Sequence, residues 1–513
     1  MKKIRNLCII LGDQLSHDSS MWASFDLKKD KVWMAEVMSE STNPLSSKQR
    51  TTVFFSAMRH FSEELRNKKI KVIYTEINDG ISSFEEALEK TIAHYDIEYF
   101  QCVIPGDIRV YKSLNDFFRE KEKSIKWLED THFFAKKNEF NEWKKKYKKP
   151  RMEYWYRYIR KSRKVLLKDD GKPIGGKWNY DLLNRKSFDK VGPQITRKPL
   201  RFKPDKITKK VISDIEKKLP NLPGHALKFD WAVTREQALK VLGDFIKFRL
   251  GKYGDYQDAM WTGEPWLYHS VISSCLNLKL LNPEEVIQAV EQAYHENRIP
   301  LNAAEGFIRQ IIGWREYIHG LYWSYSDIWM STNSLKAKRS LPNFYWTSKT
   351  KMTCMHESIS QVIEYGYGHH IQRLMVTGLF SLLYGVKPSE IHSWYLSMFV
   401  DAVAWVEVPN TIGMSQYADG GIVGSKPYIA SGAYINRMSN YCKHCNYETT
   451  SASGEKACPF STLYWYFVYK NKSLLKKNPR LSMQVKNWNN KEKKIQKEII
   501  ERSKKLFNNI ELF

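Results

Sequence analysis

The sequence predicts a two-part α/β chain: an N-terminal unit on a parallel sheet, a long connector, and a C-terminal unit that is all helix. Three observations carry this. Strand-like and helix-like runs alternate over residues 1–135. Residues 136–228 turn rich in Lys, Pro and Gly. From 229 to 513, apolar residues recur at helical spacing with no convincing strand.

In the first unit LCIILGD (Leu7 to Asp13), KVWMAEV (Lys31 to Val37), KIKVIYTEI (Lys69 to Ile77) and YFQCVIP (Tyr99 to Pro105) read as short buried strands. Helical stretches lie between them, Thr51 to Lys68 and Phe84 to Tyr95. Ligands in such sheets bind beyond the carboxyl ends of the strands, which puts Asp13 and Gln14 of LGDQLS at a crevice. A helix cap with no ligand is the competing reading. In the connector, KKNEFNEWKKKYKKPRMEYWYRYIRKSRK interleaves cations and aromatics, which suits a polyanion groove with stacking platforms or a plain solvated linker. Beyond it, Thr234 and Pro283 open helices, each with acidic residues in the first turn. The basic stretch from about 470 reads as a solvated amphipathic surface helix.

The chain has 513 residues with 82 Lys+Arg against 56 Asp+Glu, a net charge of +26 that attracts polyanions. A 42% hydrophobic and 14% aromatic content excludes a disordered chain. No run of 18 apolar residues offers a membrane span, and the apolar start is too short for a signal peptide, so a cytoplasmic protein is expected.

Seven cysteines do not read as a secreted disulfide scaffold. Cys442 and Cys445 form CKHC, Cys458 follows 13 positions later in ACPF, and Cys354 lies 88 positions before Cys442. A C-x2-C pair puts two thiolates within reach of one metal or cluster, and Cys-Pro is a known ending of iron–sulfur ligand runs. Zinc, with His444 as an alternative ligand, and a [4Fe–4S] cluster fit equally at this level; unligated buried thiols are the bland reading. Cys8, Cys102 and Cys275 read as core residues.

Further stretches carry a family resemblance: GWREY in Gly306 to Gly320, HHIQRLM in Tyr365 to Phe380, and ADGG and SKPYIASGAYINRM between Ser393 and Cys445. With the four cysteines, they resemble the photolyase/cryptochrome flavoproteins, in particular the bacterial iron–sulfur branch of prokaryotic (6-4) photolyases. The resemblance spans essentially the whole chain. It implies a Rossmann-like antenna domain, a linker, and an all-helical FAD-binding domain with a [4Fe–4S] cluster on Cys354, Cys442, Cys445 and Cys458.

By motif position the resemblance implies FAD contacts from Ser270 and Ser273 at the pyrophosphate, Arg315 at the phosphates, Arg373 and Asp419 beside the isoalloxazine, Glu407 nearby, and Tyr253 and Tyr256 toward the adenine. His370 becomes the proton donor with His369 in support, since imidazole titrates closest to neutrality. Trp346, Trp394 and Tyr395 match the electron-transfer aromatics. Trp314, Met414 and Tyr428 are expected against a flipped lesion, and Asp181 and Arg185 at its side. Asp13, Gln14, Glu36 and Glu40 are expected around a ribityl-lumazine antenna. Each residue also has an ordinary structural reading as core, cap or ion-pair member. The expected activity is light-driven repair of (6-4) photoproducts in UV-damaged DNA by a monomer. A cryptochrome-like photoreceptor is the alternative; cyclobutane-dimer repair and a zinc-dependent nucleic-acid-binding protein stand further off.

Overall fold

The computed structural model describes residues 2–195, 197–226 and 228–513. Five strands, β1 (Lys2–Ile9), β2 (Lys31–Ala35), β3 (Val72–Thr75), β4 (Tyr95–Val103) and β5 (Ile125–Leu128), form one sheet. Every pairing is parallel and the order is β3-β2-β1-β4-β5. β1 begins five residues before the expected Leu7, because β4 pairs with it from Lys2 onward. The edge strand β5 was not legible: IKWL is short and only partly buried.

The alternation along β1 explains how the two halves join. Leu7 and Ile9 face a small core with Trp33, Phe100 and Leu114. Cys8 and Ile10 face the other way, into a core that runs without a break into the helical body. The helix Lys48–Asn67, capped by Ser47, lies at this junction. The Ser47 N–H bonds the Ser397 carbonyl at 2.7 Å, and Arg50 Nη2 bonds that of Ala402 at 3.0 Å.

The described residues of the connector pack onto the rest of the fold. They form the helices Lys137–Lys145, Met152–Arg163 and Lys206–Lys218. Trp143, Trp155 and Tyr156 are core, which removes them as stacking platforms; Tyr147 and Tyr154 stay exposed. The part that stands out into solvent is the loop around Asp181, where Leu182 is 83% exposed, and the following Val191 at 78%.

The helical body opens with Arg235–Phe248, where the Thr234 hydroxyl accepts the Gln237 N–H, and continues with Pro283–His295 under an Asn282–Glu285 capping box. Three π-helical turns interrupt it, at Arg309–Arg315, Arg373–Thr377 and Pro409–Ser415. The basic tail is integrated: Trp488, Ile499 and Leu506 are fully buried. Among the described residues no helix is long and apolar enough to cross a membrane.

Candidate functional site

The centre of the helical body is a cluster of cations and imidazoles. Arg373 forks onto Asp401 with two bonds of 3.0 Å, donates from Nε to the Gly368 carbonyl at 2.6 Å, and lies 4.0 Å over the Phe399 ring. Asp401 also accepts the Ser273 hydroxyl at 2.6 Å, and its carbonyl accepts Asn277 at 2.7 Å. Asp401 was missed by motif reading; its signal is a lone carboxylate inside the apolar run MFVDAVAW.

His369 is buried and stacks on His269, with centroids 4.4 Å apart and planes 14° off parallel. Burial, then the neighbouring imidazoles and Arg373, push its pKa well down; His269 is lowered to about 3, chiefly by burial. His370 is exposed, yet the surrounding protein and then Arg373 also lower its pKa.

Several buried polar atoms here have no partner among the described residues: both ring nitrogens of His369, Nε2 of His269, Nη2 of Arg249, Nε and Nη2 of Arg201, and the Ser274 hydroxyl. The groups are electrostatic neighbours, with Arg201, Arg249, Arg373 and Asp401 all acting on Tyr367. Unpaired buried donors cost about 1–3 kcal/mol each. A polar, anionic, heteroaromatic ligand would satisfy them, so the donor set fits FAD.

Other expected contacts separate. Ser270 immediately follows His269. Tyr253 meets the His269 ring edge-on at 5.8 Å, while Tyr256 stacks at 4.5 Å on Phe188 of the connector. Arg315 lies elsewhere: it bonds the His132 carbonyl at 2.9 Å and stacks 4.1 Å from Phe133, at the seam with the sheet unit. Asp419 accepts the N–H groups of Gly421 and Val423 at 2.8 Å each, so it folds its own loop. Glu407 pairs with buried His392, whose pKa burial lowers but the carboxylate raises, with a net rise.

An aromatic row leaves the cluster. Phe399 stacks on Tyr395 at 5.2 Å; Tyr395 meets Trp394 at 5.2 Å, and Trp394 meets Tyr345 at 5.1 Å. Trp346 is next in sequence to Tyr345 and 40% exposed, but among the described residues its ring makes no contact with the row. The Tyr395 hydroxyl donates to the Arg373 carbonyl at 2.7 Å. Tyr345 and Phe399 are members that the motif did not name.

Toward the connector, Asp181 takes Arg185 as an ion pair and Arg309 Nη2 at 3.1 Å. Its charge reaches Tyr428 and Asp258, and burial with Asp181 lifts the Asp258 pKa to about 6. Arg309, also missed, shares the π turn with half-buried Trp314, and Met414 is buried on another. Arg309 and Asp258 both act electrostatically on Tyr253, which in turn meets His269, so the imidazoles and the Asp181 loop are joined through these side chains.

The four cysteines meet on separate elements. Cys354 is in the first turn of the helix Thr353–Tyr365, Cys442 lies within the 3-10 turn Tyr441–His444 and Cys445 just after it, and Cys458 caps Pro459–Lys470. Burial raises the Cys354 thiol pKa, and the other three cysteines raise it further, so the four share one space. Among the described residues no three His, Cys, Asp or Glu groups close tightly enough for a single ion. A four-iron cluster spreads its thiolates wider than one zinc does, so the set fits the cluster.

At the carboxyl ends of β1 and β4, where strand order reverses, lies a recess of about 110 Å³. Asp13, Glu40, Arg50 and Arg109 line it from the sheet side, and Val403 and Ala404 close it from the helices. Gln14 and Glu36, expected there, do not line it and are held inside the fold. Gln14 clamps the ends of β1 and β4, accepting the Leu11 N–H at 3.2 Å and donating to the Val103 carbonyl at 2.9 Å. Glu36 is fully buried, held by Arg59 at 2.7 and 2.8 Å and by the Tyr74 hydroxyl at 2.7 Å.

A family model described as deoxyribodipyrimidine photo-lyase-related protein matches residues 8–231. A curated protein named (6-4) photolyase, from Agrobacterium fabrum (strain C58 / ATCC 33970), is 44% identical over 485 residues, covering 94% of this chain and 95% of its own. Among solved structures, a bacterial class III photolyase from Agrobacterium tumefaciens superposes with a TM-score of 0.56 at 15% identity, covering 85% of this chain and 87% of that one. A cryptochrome from Synechocystis sp. PCC6803 superposes with a TM-score of 0.53 at 14% identity, covering 92% and 94%. These two share the fold.

Proposed function

The chain belongs to the photolyase/cryptochrome family, and from that premise we propose that it is a DNA photolyase that uses blue light to repair (6-4) pyrimidine photoproducts. The observation that carries the substrate class is the pair His369–His370 beside Arg373 and Asp401, with three imidazole nitrogens of His269 and His369 unpartnered.

Reversing a (6-4) lesion moves a hydroxyl between two pyrimidines, so one group must give a proton and take it back. His370, exposed beside Arg373, is that group. His369, buried behind it and stacked on His269, positions it. The pKa of His370 is lowered by its surroundings, and an anion brought in by the substrate favours the imidazolium. FAD, when bound, supplies the light-absorbing one-electron donor. Arg373, Asp401, Ser270, Ser273, Tyr253 and Arg249 would hold it. The row Tyr395, Trp394, Tyr345 offers oxidisable rings leading away from that site, and the exposed Trp346 would take the relay to the surface. Asp181, Arg185, Trp314, Met414 and Tyr428 would receive the flipped lesion, and the positive surface the DNA phosphates. Cys354, Cys442, Cys445 and Cys458 would hold a [4Fe–4S] cluster. The recess with Asp13 and Glu40 would hold a ribityl-lumazine antenna.

The test is blue-light repair of an oligonucleotide carrying one (6-4) photoproduct by the reduced, flavin-loaded protein. Wild type repairs it, and His370→Ala loses about 10²–10⁴-fold in rate with flavin retained. Full repair by His370→Ala would remove that residue from the mechanism. Wild type that photoreduces but repairs neither lesion type would favour a photoreceptor.

A further inference from the structure

On the side of the helical body formed by its C-terminal helices is a recess of about 290 Å³ that no part of the repair reading uses. The Asn333–Arg339 loop, the end of the helix Gly378–Tyr384 and the helices Pro459–Lys470 and Lys493–Asn508 enclose it. Four cations converge on it, Lys336, Lys338, Arg339 and Lys470, and no acidic residue lines it. Among the described residues none of the four takes part in an ion pair; the nearby Glu511 is engaged by the Asn343 N–H at 2.6 Å.

The recess is built rather than incidental. Asn333 folds its own loop, donating to the Ala337 carbonyl at 2.8 Å and accepting the Ala337 N–H at 2.9 Å. Arg339 is pinned through Nη1 to the Tyr384 carbonyl at 2.9 Å and lies 3.6 Å over the Phe507 ring. That close approach needs a glycine at 385: its φ is +85°, and a Cβ there would come within 3.1 Å of Arg339 Nη1. Burial, then Arg339 and Lys338, lower the Lys470 pKa, as expected where like charges crowd without a counter-ion. The mouth is cationic, whereas Leu335, Val386, Phe467 and Phe507 make the floor apolar.

We propose that this recess binds a small nucleotide, its phosphate on the four cations and its ring on the apolar floor. Lys and Arg suit phosphate oxygens, and a recess of about 290 Å³ with an apolar floor has room for one base and its phosphate.

The test is calorimetric titration of the full-length, flavin-loaded protein with AMP, inorganic phosphate, adenosine and undamaged duplex DNA. AMP is expected to bind, with inorganic phosphate and adenosine each at least about tenfold weaker, since each loses one half of the contacts, worth about 1.4 kcal/mol. The double variant Lys338→Glu/Lys470→Glu should weaken AMP at least about tenfold at unchanged flavin absorbance and unchanged binding of lesion DNA. Lys336→Glu alone, on an exposed loop, gives the same direction should the double variant not fold. No AMP binding into the millimolar range, equal affinity in wild type and variants, adenosine or inorganic phosphate binding as tightly as AMP, or displacement of AMP by undamaged DNA would each overturn the proposal.

Discussion

The recess at the carboxyl edge of the sheet and the imidazole cluster of the helical body both hold buried charge, but they balance it differently. In the recess the charged groups are engaged: Glu40 with Arg109 at 2.8 Å, Arg50 with the Ala402 carbonyl at 3.0 Å, and Asp13 with the Gly106 N–H at 3.2 Å. In the cluster, His369, His269, Arg249 and Ser274 leave donors and acceptors unmet. A paired recess is stable whether or not it is filled. A cluster of unmet buried groups is completed by what it binds, so ligand and fold should be coupled far more tightly in the helical body.

The largest expected effect that sharpens this contrast is on activity, the loss of about two to four orders of magnitude in His370→Ala already given. Next is Asp401→Asn. Asp401 is the counter-charge of Arg373 and the acceptor of Ser273, so its loss leaves a largely buried guanidinium short of a partner. A destabilisation of about 3 kcal/mol is expected, with flavin content falling in parallel. Denaturant unfolding with and without added FAD measures it; unchanged stability and full flavin occupancy would break the comparison.

Acid should act at the seam between the two regions. Burial lowers His132 and His319 to about 3, so the native protein keeps both rings neutral. The unfolded chain protonates them near pH 6.5, so their contribution is complete above that pH and is lost as pH falls toward 3. The expected slope is about 1.4 kcal/mol per pH unit for each ring, read from unfolding midpoints between pH 6 and 4.5. His319→Gln should reduce that slope.

Gly432→Ala probes the cysteine site. An added Cβ would come within 2.7 Å of the Cys458 sulfur. Reduced iron content with intact flavin is expected; full iron content would show that the sulfur can give way. The smallest effect is Glu40→Gln. Its partner Arg109 is half exposed, so the pair is worth about 0.5 kcal/mol, and thermal stability should barely move even where antenna retention falls.

The cysteines and the histidine pair were legible because their chemistry is local: CKHC and HH put adjacent reactive groups together whatever the fold. The strands were legible through β-branched runs, and the caps through Thr234 and Pro283. Arg315 and Arg309 show where reading along the chain fails. A π turn adds a residue to the helical repeat, so positions that share a face at a spacing of 3.6 no longer do. Arg309 therefore reaches Asp181 while Arg315 faces the sheet unit. Asp401 and His269 escaped for another reason: each stands among apolar or cap-like neighbours, and only its partners mark it out.

The sequence by itself determined the order of elements, the cysteine set and the double histidine, because these follow from hydrophobic periodicity and from residues a few positions apart. Only the tertiary structure decided which carboxylate balances Arg373, which expected residues line the recess by the sheet, and where four cations without an ion pair among the described residues gather beside an apolar floor. Those outcomes depend on side chains far apart in sequence meeting at distances of a few ångströms, and burial then decides whether each charge costs or contributes.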